Sequence, residues 1–358
     1  MDAVGIGLVG CGNIAPIYLK NLGGFPETRL VAVADADRAK AESRAAEFGV
    51  PKVTSLDGLL ADPAVEVLLN LTTPLSHYHI AKHALLAGKH VYNEKPVAID
   101  VSEADDLLAI AASRGLQVGC APDTVLGAGI QTCRHAIDSG MIGEPLSFQA
   151  FMMCPGHEGW HPDPAFYYEK GGGPLFDMGP YYVSALVTLL GPVSRVCGAS
   201  KKSFATRTIG SEPKRGQTIA VDVPTHLVTV MELASGAVGQ LTTSFDVQFH
   251  TLPHIEVYGS EGTLRVPDPN GFGGPVLVRT KGDGDWRPLS LTHPNSEDMR
   301  GIGVRDLVCA IRSGERPRAS GALARHALAV FHAAHAAPYH AKYVEIEPVE
   351  RPAAMPPL

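Results

Sequence analysis

The first third of the chain alternates between short runs that are apolar throughout and longer segments of helical pattern. "VGIGLVG" (Val4–Gly10) leads into "CGNIAPIYLKNL", a turn plus helix. "RLVAVADAD" (Arg29–Asp37) leads into "RAKAESRAAEFG", a helix stopped by glycine. "VEVLLNLTTP", "HVYNEKP" and "LQVGCAP" repeat the strand pattern, separated by the helical "HYHIAKHALLAGK" and "VSEADDLLAIAASRG". A strand with no polar face has to be covered on both sides. Strands of this kind alternating with helices therefore predict βαβ units and a doubly wound parallel sheet.

At 358 residues the chain exceeds what one core usually supports, which predicts two domains. After about residue 125 the alternation stops. A helix ("QTCRHAIDSGMIG") leads into "PLSFQAFMM", and later runs such as "THLVTVMEL", "AVGQLTTSFDV" and "HIEVYGSEGTLRV" show period-2 features with glycine-bearing turns. These predict a mostly antiparallel sheet. The expected organisation is a Rossmann-type domain over 1–123 and an α+β domain with a large open-faced sheet over 124–350. The last helices are free to pack back on the first domain, and 351–358 forms an extended tail. An apolar sheet face left uncovered predicts a homodimer or homotetramer assembled through it.

Net charge is −7, from 30 basic and 37 acidic residues, which argues against a nucleic-acid partner. No stretch approaches the roughly 20 apolar residues of a membrane helix. The N-terminal segment lacks a basic region before its apolar run and reads as a strand. Six scattered cysteines without CxxC spacing fit reduced thiols and a cytoplasmic protein. "HEGWH" (His157–His161) matches the zinc-protease spacing, but that pattern works on a helix. Pro155, Gly156, Gly159 and the following "PDP" argue against one, so no metal is expected.

"GCGNIA" sits between the first strand and the first helix. Gly10 permits the tight turn, Gly12 a close approach of backbone to a pyrophosphate, and Ala15 close packing of helix on strand. Gly10, Gly12, Asn13 and Ile14 are thus candidate cofactor residues, with the helix N-terminus offering N–H groups to phosphates. Asp35 closes the second strand, placed to bind an adenosine ribose and to repel a 2′-phosphate. NAD is the expected cofactor; Arg38, three residues on, keeps NADP open.

"GGGPLFDMGPYY" (Gly171–Tyr182) places Asp177 and Tyr181 at i and i+4, on one helix face. Two readings stand for each. Asp177 either faces a substrate or caps the helix; Tyr181 either faces a substrate or packs in a core or interface. The loop from Gly156 to Tyr168 borders a pocket or is a solvated loop; His157, Trp160 and His161 are its candidate substrate contacts.

In order, "GCGNIA", "LTTPLSHYHIAKHALLAGKHVYNEKP", "GMIGEP", "GGGPLFDMGPYY" and "VYGSEGTL" resemble the Gfo/Idh/MocA family of nicotinamide-dependent oxidoreductases. The resemblance covers nearly the whole chain. It implies roles for Lys95 in proton transfer and substrate binding and for Asp177 on a sugar hydroxyl. It also implies that Thr73, Pro74, His77 and Glu94 border the nicotinamide half of the cofactor, with surface placement the alternative for His77. Asp123, where the second domain begins, is a candidate substrate contact. Many members carry a histidine four residues after the aspartate; Tyr181 here resembles the branch that uses tyrosine.

An unperturbed tyrosine, with pKa near about 10, is a poor base at neutral pH, and a neighbouring ammonium would lower it. The expected activity is NAD(P)-dependent oxidoreduction of a secondary alcohol or ketone on a sugar, polyol or glycoside, with Lys95 and Tyr181 relaying the proton and Asp177 orienting substrate. The alternatives are a dihydrodiol or small cyclic ketone oxidoreductase and a non-catalytic nucleotide-binding scaffold or sensor.

Overall fold

The computed structural model describes residues 3–340 and 342–358. The elements run β1 (Val4–Val9), α1 (Ala15–Leu22), β2 (Thr28–Ala34), α2 (Arg38–Phe48), α3 (Leu56–Ala61), β3 (Val67–Asn70), α4 (Pro74–Leu86), β4 (His90–Asn93), α5 (Val101–Ser113) and β5 (Val118–Cys120). Next come α6 (Ala128–Asp138), β6 (Pro145–Met153), α7 (Gly173–Leu190), β7 (Val193–Lys201), β8 (Thr206–Thr208), β9 (Thr218–Ala220), β10 (His226–Leu233) and β11 (Val238–Ser244). The chain closes with β12 (Ile255–Gly259), β13 (Gly262–Val266), β14 (Val276–Thr280), β15 (Arg287–Leu289), α8 (Ile302–Ser313), α9 (Gly321–His340) and β16 (Val344–Glu345).

Two compact units result. The first comprises the chain up to Gly127 together with Asn295–Leu328; the second is Ala128–Pro294 and the chain from Ala329 onward. The division falls four residues after the expected border, and the segment carrying α8 belongs with the first unit. One cause is visible at Asp123. This residue is 1% exposed, and its Oδ2 accepts hydrogen bonds from the amides of Gly301 (2.7 Å) and Gly303 (3.1 Å) at the start of α8. A helix start leaves N–H groups without intrahelical partners, and Asp123 satisfies two from 178 residues away.

The first unit contains a five-stranded sheet in the order β2-β1-β3-β4-β5, parallel throughout. All six residues of β1 are buried, as are the four of β3, because helices cover both faces. The helix boundaries follow local chemistry. Asp37 accepts from Ala39 N and Gly49 (φ 66°) ends α2; Asp100 and Glu103 form a capping box on α5.

The second unit contains a nine-stranded sheet in the order β15-β14-β13-β12-β6-β11-β10-β7-β16. β6 and β11 pair parallel and the remaining neighbours antiparallel. β10 alternates half-buried and buried residues along its whole length, and α7 packs on the face formed by β6, β10 and β11. β8 and β9 form a separate two-stranded hairpin. The final residues are extended but tied down: Met355 N donates to Gln131 Oε1 (3.1 Å), and Leu358 N donates to Thr292 O (2.8 Å).

Candidate active site

The candidate residues fall into two groups, one in each unit. In the first unit, the loop after β1 turns on Gly10, whose φ is +97°. A Cβ there would lie 2.6 Å from the Leu71 carbonyl carbon and 2.8 Å from Thr72 N, so the crossing over the end of β3 admits only glycine. Gly12 differs, since a Cβ on it meets nothing within 4 Å. The space above Gly12 is open, as a loop that receives a pyrophosphate requires. Beside it lies a cavity of about 400 Å³ lined by Cys11, Gly12, Asn13, Ala39, Lys40, Ser43 and Arg44. The open Gly12, the exposed Asn13 and the N-terminal turn of α1 at Ile14 fit a dinucleotide phosphate.

Asp35 anchors the loop: its Oδ2 accepts from Cys11 N (2.7 Å) and its Oδ1 from Asp37 N (2.8 Å). Burial, with Asp35 second, pushes the Cys11 thiol up to about 11, so it stays neutral. Arg38, a candidate for a 2′-phosphate, is directed instead along the outside of α2, where its Nε donates to Glu42 at 2.8 Å with three quarters of the side chain exposed. Lys40, Ser43 and Arg44 line the cavity in its place. Their helical spacing looks like a solvated face in sequence, and nothing local distinguishes it.

At the C-terminal ends of β3 and β4 a buried polar network carries the Glu94–Lys95 turn. Asn70 and Asn93 are fully buried; Asn70 Nδ2 donates to Asn93 Oδ1 (3.1 Å), and Thr72 Oγ1 to Asn70 Oδ1 (2.7 Å). Glu94 accepts from Tyr18 Oη (2.7 Å) and from Lys95 N (2.9 Å). Burial, then the charge of Glu94, raises the Tyr18 phenol well above its ordinary range, so Tyr18 remains a donor. His77 is not a surface residue. It is fully buried, with Nδ1 2.6 Å from Pro96 O and Nε2 3.0 Å from Thr72 O, and it clamps the loop after β3 to the Lys95–Pro96 turn. Burial lowers its pKa against the pull of both carbonyls. Thr73 is exposed at the N-cap of α4, with Pro74 in its first turn. Tyr18, Asn70 and Asn93 carry no motif and were missed from sequence. Asp123 is corrected from substrate contact to buried helix cap, since its carboxylate is committed to backbone amides.

In the second unit the glycine run has a steric explanation. Gly171 and Gly173 have φ of 86° and 87°. A Cβ on Gly172 would lie 2.4 Å from Phe166 O and 2.8 Å from Tyr167 O. Gly172 is also the N-cap of α7, so Asp177 lies within the helix and is not its N-cap residue. Its Oδ2 is 2.9 Å from His157 Nε2, both side chains about one-seventh exposed. Tyr181, one turn on, is 9% exposed. Tyr182 is a packing residue, bonded to Phe151 O (3.1 Å) and His254 Nδ1 (3.0 Å).

"HEGWH" forms a turn rather than a helix, and its imidazoles diverge: His157 meets Asp177, while His161 Nδ1 accepts from Asp163 N (3.1 Å). Among the described residues no group of three metal-binding side chains occurs. The loop is pinned from beside it by Arg207 on β8, whose Nη1 donates to Glu158 (2.8 Å) and Pro155 O (3.2 Å) and whose Nη2 pairs with Asp246. Arg207 also stacks over Tyr168.

Comparison with known proteins identifies the family and agrees with the fold. Residues 4–121 match the model described as "Oxidoreductase family, NAD-binding Rossmann fold", and residues 130–265 match the GFO/IDH/MocA C-terminal domain. The chain belongs to the Gfo/Idh/MocA oxidoreductases, and its N-terminal unit carries their NAD-binding domain. Among curated relatives, myo-inositol 2-dehydrogenase of Thermotoga maritima is 24% identical over 96% of this chain and 99% of its own length. A dTDP-3,4-didehydro-2,6-dideoxy-alpha-D-glucose 3-reductase of Streptomyces antibioticus is 29% identical over 81% of this chain and 82% of its own. Among solved structures, apo levoglucosan dehydrogenase superposes with a TM-score of 0.85 at 20% identity, covering 98% of this chain and all of its own.

Proposed function

We propose that this protein transfers a hydride between a nicotinamide cofactor, NAD in preference to NADP, and a secondary alcohol or ketone of a sugar, polyol or glycoside. The observation that carries the reading is the His157–Asp177 pair at 2.9 Å. It fixes a carboxylate on the same helix face as Tyr181, ready to accept a hydrogen bond from a substrate hydroxyl. The names of the relatives support the substrate class: inositol, xylose and dideoxy-sugar oxidoreductases. Asp35 supports the cofactor preference, since a carboxylate at the end of β2 repels a 2′-phosphate.

The nicotinamide, when bound, supplies the hydride acceptor or donor. The chain supplies the rest. Asp177 orients the sugar by accepting from a hydroxyl, and Tyr181 and Lys95 pass the carbinol proton between them. The ammonium charge of Lys95 stabilises the phenolate and the oxygen that gains negative charge as the proton leaves. His77, Asn70, Asn93 and Tyr18 hold the turn that carries Lys95. Assembly through the sheet face bearing Val228 and Val230, both half-buried, is part of the proposal and is read by light scattering.

The test is a panel of sugars, inositols and glycosides with NAD and NADP separately, followed at the absorbance of the reduced nicotinamide. Lys95→Ala and Tyr181→Phe are each expected to lower turnover at least a hundredfold while cofactor affinity stays within a few fold. Near-normal turnover in either variant defeats the relay.

A further inference from the structure

Around the His157–Asp177 pair lies a continuous set of six rings. His157 meets Tyr167, Phe245 and Trp160 at centroid distances of 4.3, 4.7 and 5.4 Å. Trp160 meets His161 at 5.3 Å, His161 meets Phe166 at 5.4 Å, and Phe166 meets Tyr167 at 4.1 Å. The inner end is buried, with Phe245 fully enclosed; the outer end is open, with Trp160 63% and Phe166 48% exposed. Two large exposed rings that flank His161, one of them against the imidazole that holds the site carboxylate, are not a core that failed to close. They sit on a loop that its neighbours hold in place. Gly210 N donates to Glu158 O (2.8 Å), Lys214 pairs with Asp163 (2.7 Å), Ser211 Oγ donates to Glu158 O (3.3 Å), and Arg207 grips Glu158 and Pro155. A held aromatic surface binds with little ordering cost.

We propose that this shelf is a second subsite for the ring of an aglycone, so that the substrate is a glycoside carrying a flat or C–H-faced ring rather than a free monosaccharide. The inference rests on the reading of Asp177 as a sugar-hydroxyl acceptor. His157 touches both that carboxylate and Trp160, so the shelf begins one ring away from where Asp177 would hold a sugar. Aromatic faces carry negative quadrupolar charge, which attracts the C–H edges of a pyranose or the rim of an aryl group. The interleaved imidazoles of His157 and His161 supply polar contacts for hydroxyls around that ring, as small-molecule sites combine apolar walls with a few polar groups. A second copy of the chain would find a patch interrupted by the His161 imidazole.

The chain has two tryptophans, so Trp286→Phe leaves Trp160 as the sole tryptophan reporter. Methyl and phenyl glycosides of the gluco, galacto and xylo series are titrated against its emission, and the same pairs are compared in steady-state kinetics. The phenyl member is expected to perturb Trp160 and to bind roughly tenfold tighter than the methyl one, with the gain in KM and not kcat. Trp160→Ala combined with Phe166→Ala should erase that gain, and Trp160→Phe should restore most of it. Equal affinity and equal KM for both members of every pair turned over overturns the subsite, as does a phenyl advantage that survives loss of both rings. An emission change that follows protein concentration and ignores glycosides also overturns it, in favour of self-association. Oxidation of methyl glycosides with no phenyl preference leaves the oxidoreductase reading standing. Phenyl-selective binding without hydride transfer supports the shelf and defeats that reading.

Discussion

Replacing Asp123 by Asn should change how the stability of the first unit depends on pH. Asp123 is buried, and burial raises its carboxyl from 3.8 to about 6 against the opposing pull of the Gly303 and Gly301 amides. A raised acid is protonated in the folded chain over a range where it is already ionised in the unfolded chain. The unfolded chain therefore binds fewer protons, and stability falls as pH rises through that window. Below about pH 4 both states hold the proton and the group contributes its full stability. Above about pH 6 to 7 that contribution is gone. Two pKa units at about 1.36 kcal/mol each make the loss about 3 kcal/mol. Asn keeps an oxygen to accept from the two amides and does not titrate. Urea unfolding followed by circular dichroism, at pH 4.5 and pH 7.5, compares the two proteins. The Asn variant should gain about 2 to 3 kcal/mol relative to the parent across that interval. A difference that stays constant with pH would show that Asp123 does not carry its raised pKa, and the burial argument would fail with it.

Other substitutions probe other links. Arg207→Met leaves Glu158 and Asp246, each near one-tenth exposed, without their cation; the melting temperature should drop by the equivalent of roughly 3 kcal/mol, and an unchanged melt would deny Arg207 its anchoring role. Gly172→Ala drives a Cβ onto the Phe166 carbonyl, so a loss of about 1–3 kcal/mol is expected in a denaturant titration, together with lower kcat/KM. Asp35→Asn removes the charge that opposes a 2′-phosphate beside Lys40, Ser43 and Arg44. The ratio of kcat/KM for NADP over NAD should rise at least tenfold, and a fixed ratio would place cofactor choice elsewhere.

The amino-acid sequence by itself determined the architecture of both units. Period and composition are local: β1 and β3 are apolar on every position because both their faces are covered, and β10 alternates because its two faces differ in cover. Gly10, Gly12, Lys95 and Asp177 stand out in the sequence for a related reason, since each sits in a short motif. The comparisons bear out the family and the fold. What the tertiary structure alone decided is who meets whom across long stretches of chain. His157 and Asp177 are 20 residues apart and meet because the glycine run passes against the Phe166–Tyr167 backbone. Asp123 finds amides 178 residues away, and Arg207 reaches back to the loop it pins. Surface placement was open for His77 because nothing in a helix start records that both its nitrogens will face carbonyls. Hydrogen bonds of that kind depend on where backbones end up after packing. Packing sums over the whole core, so it leaves no pattern at the position itself.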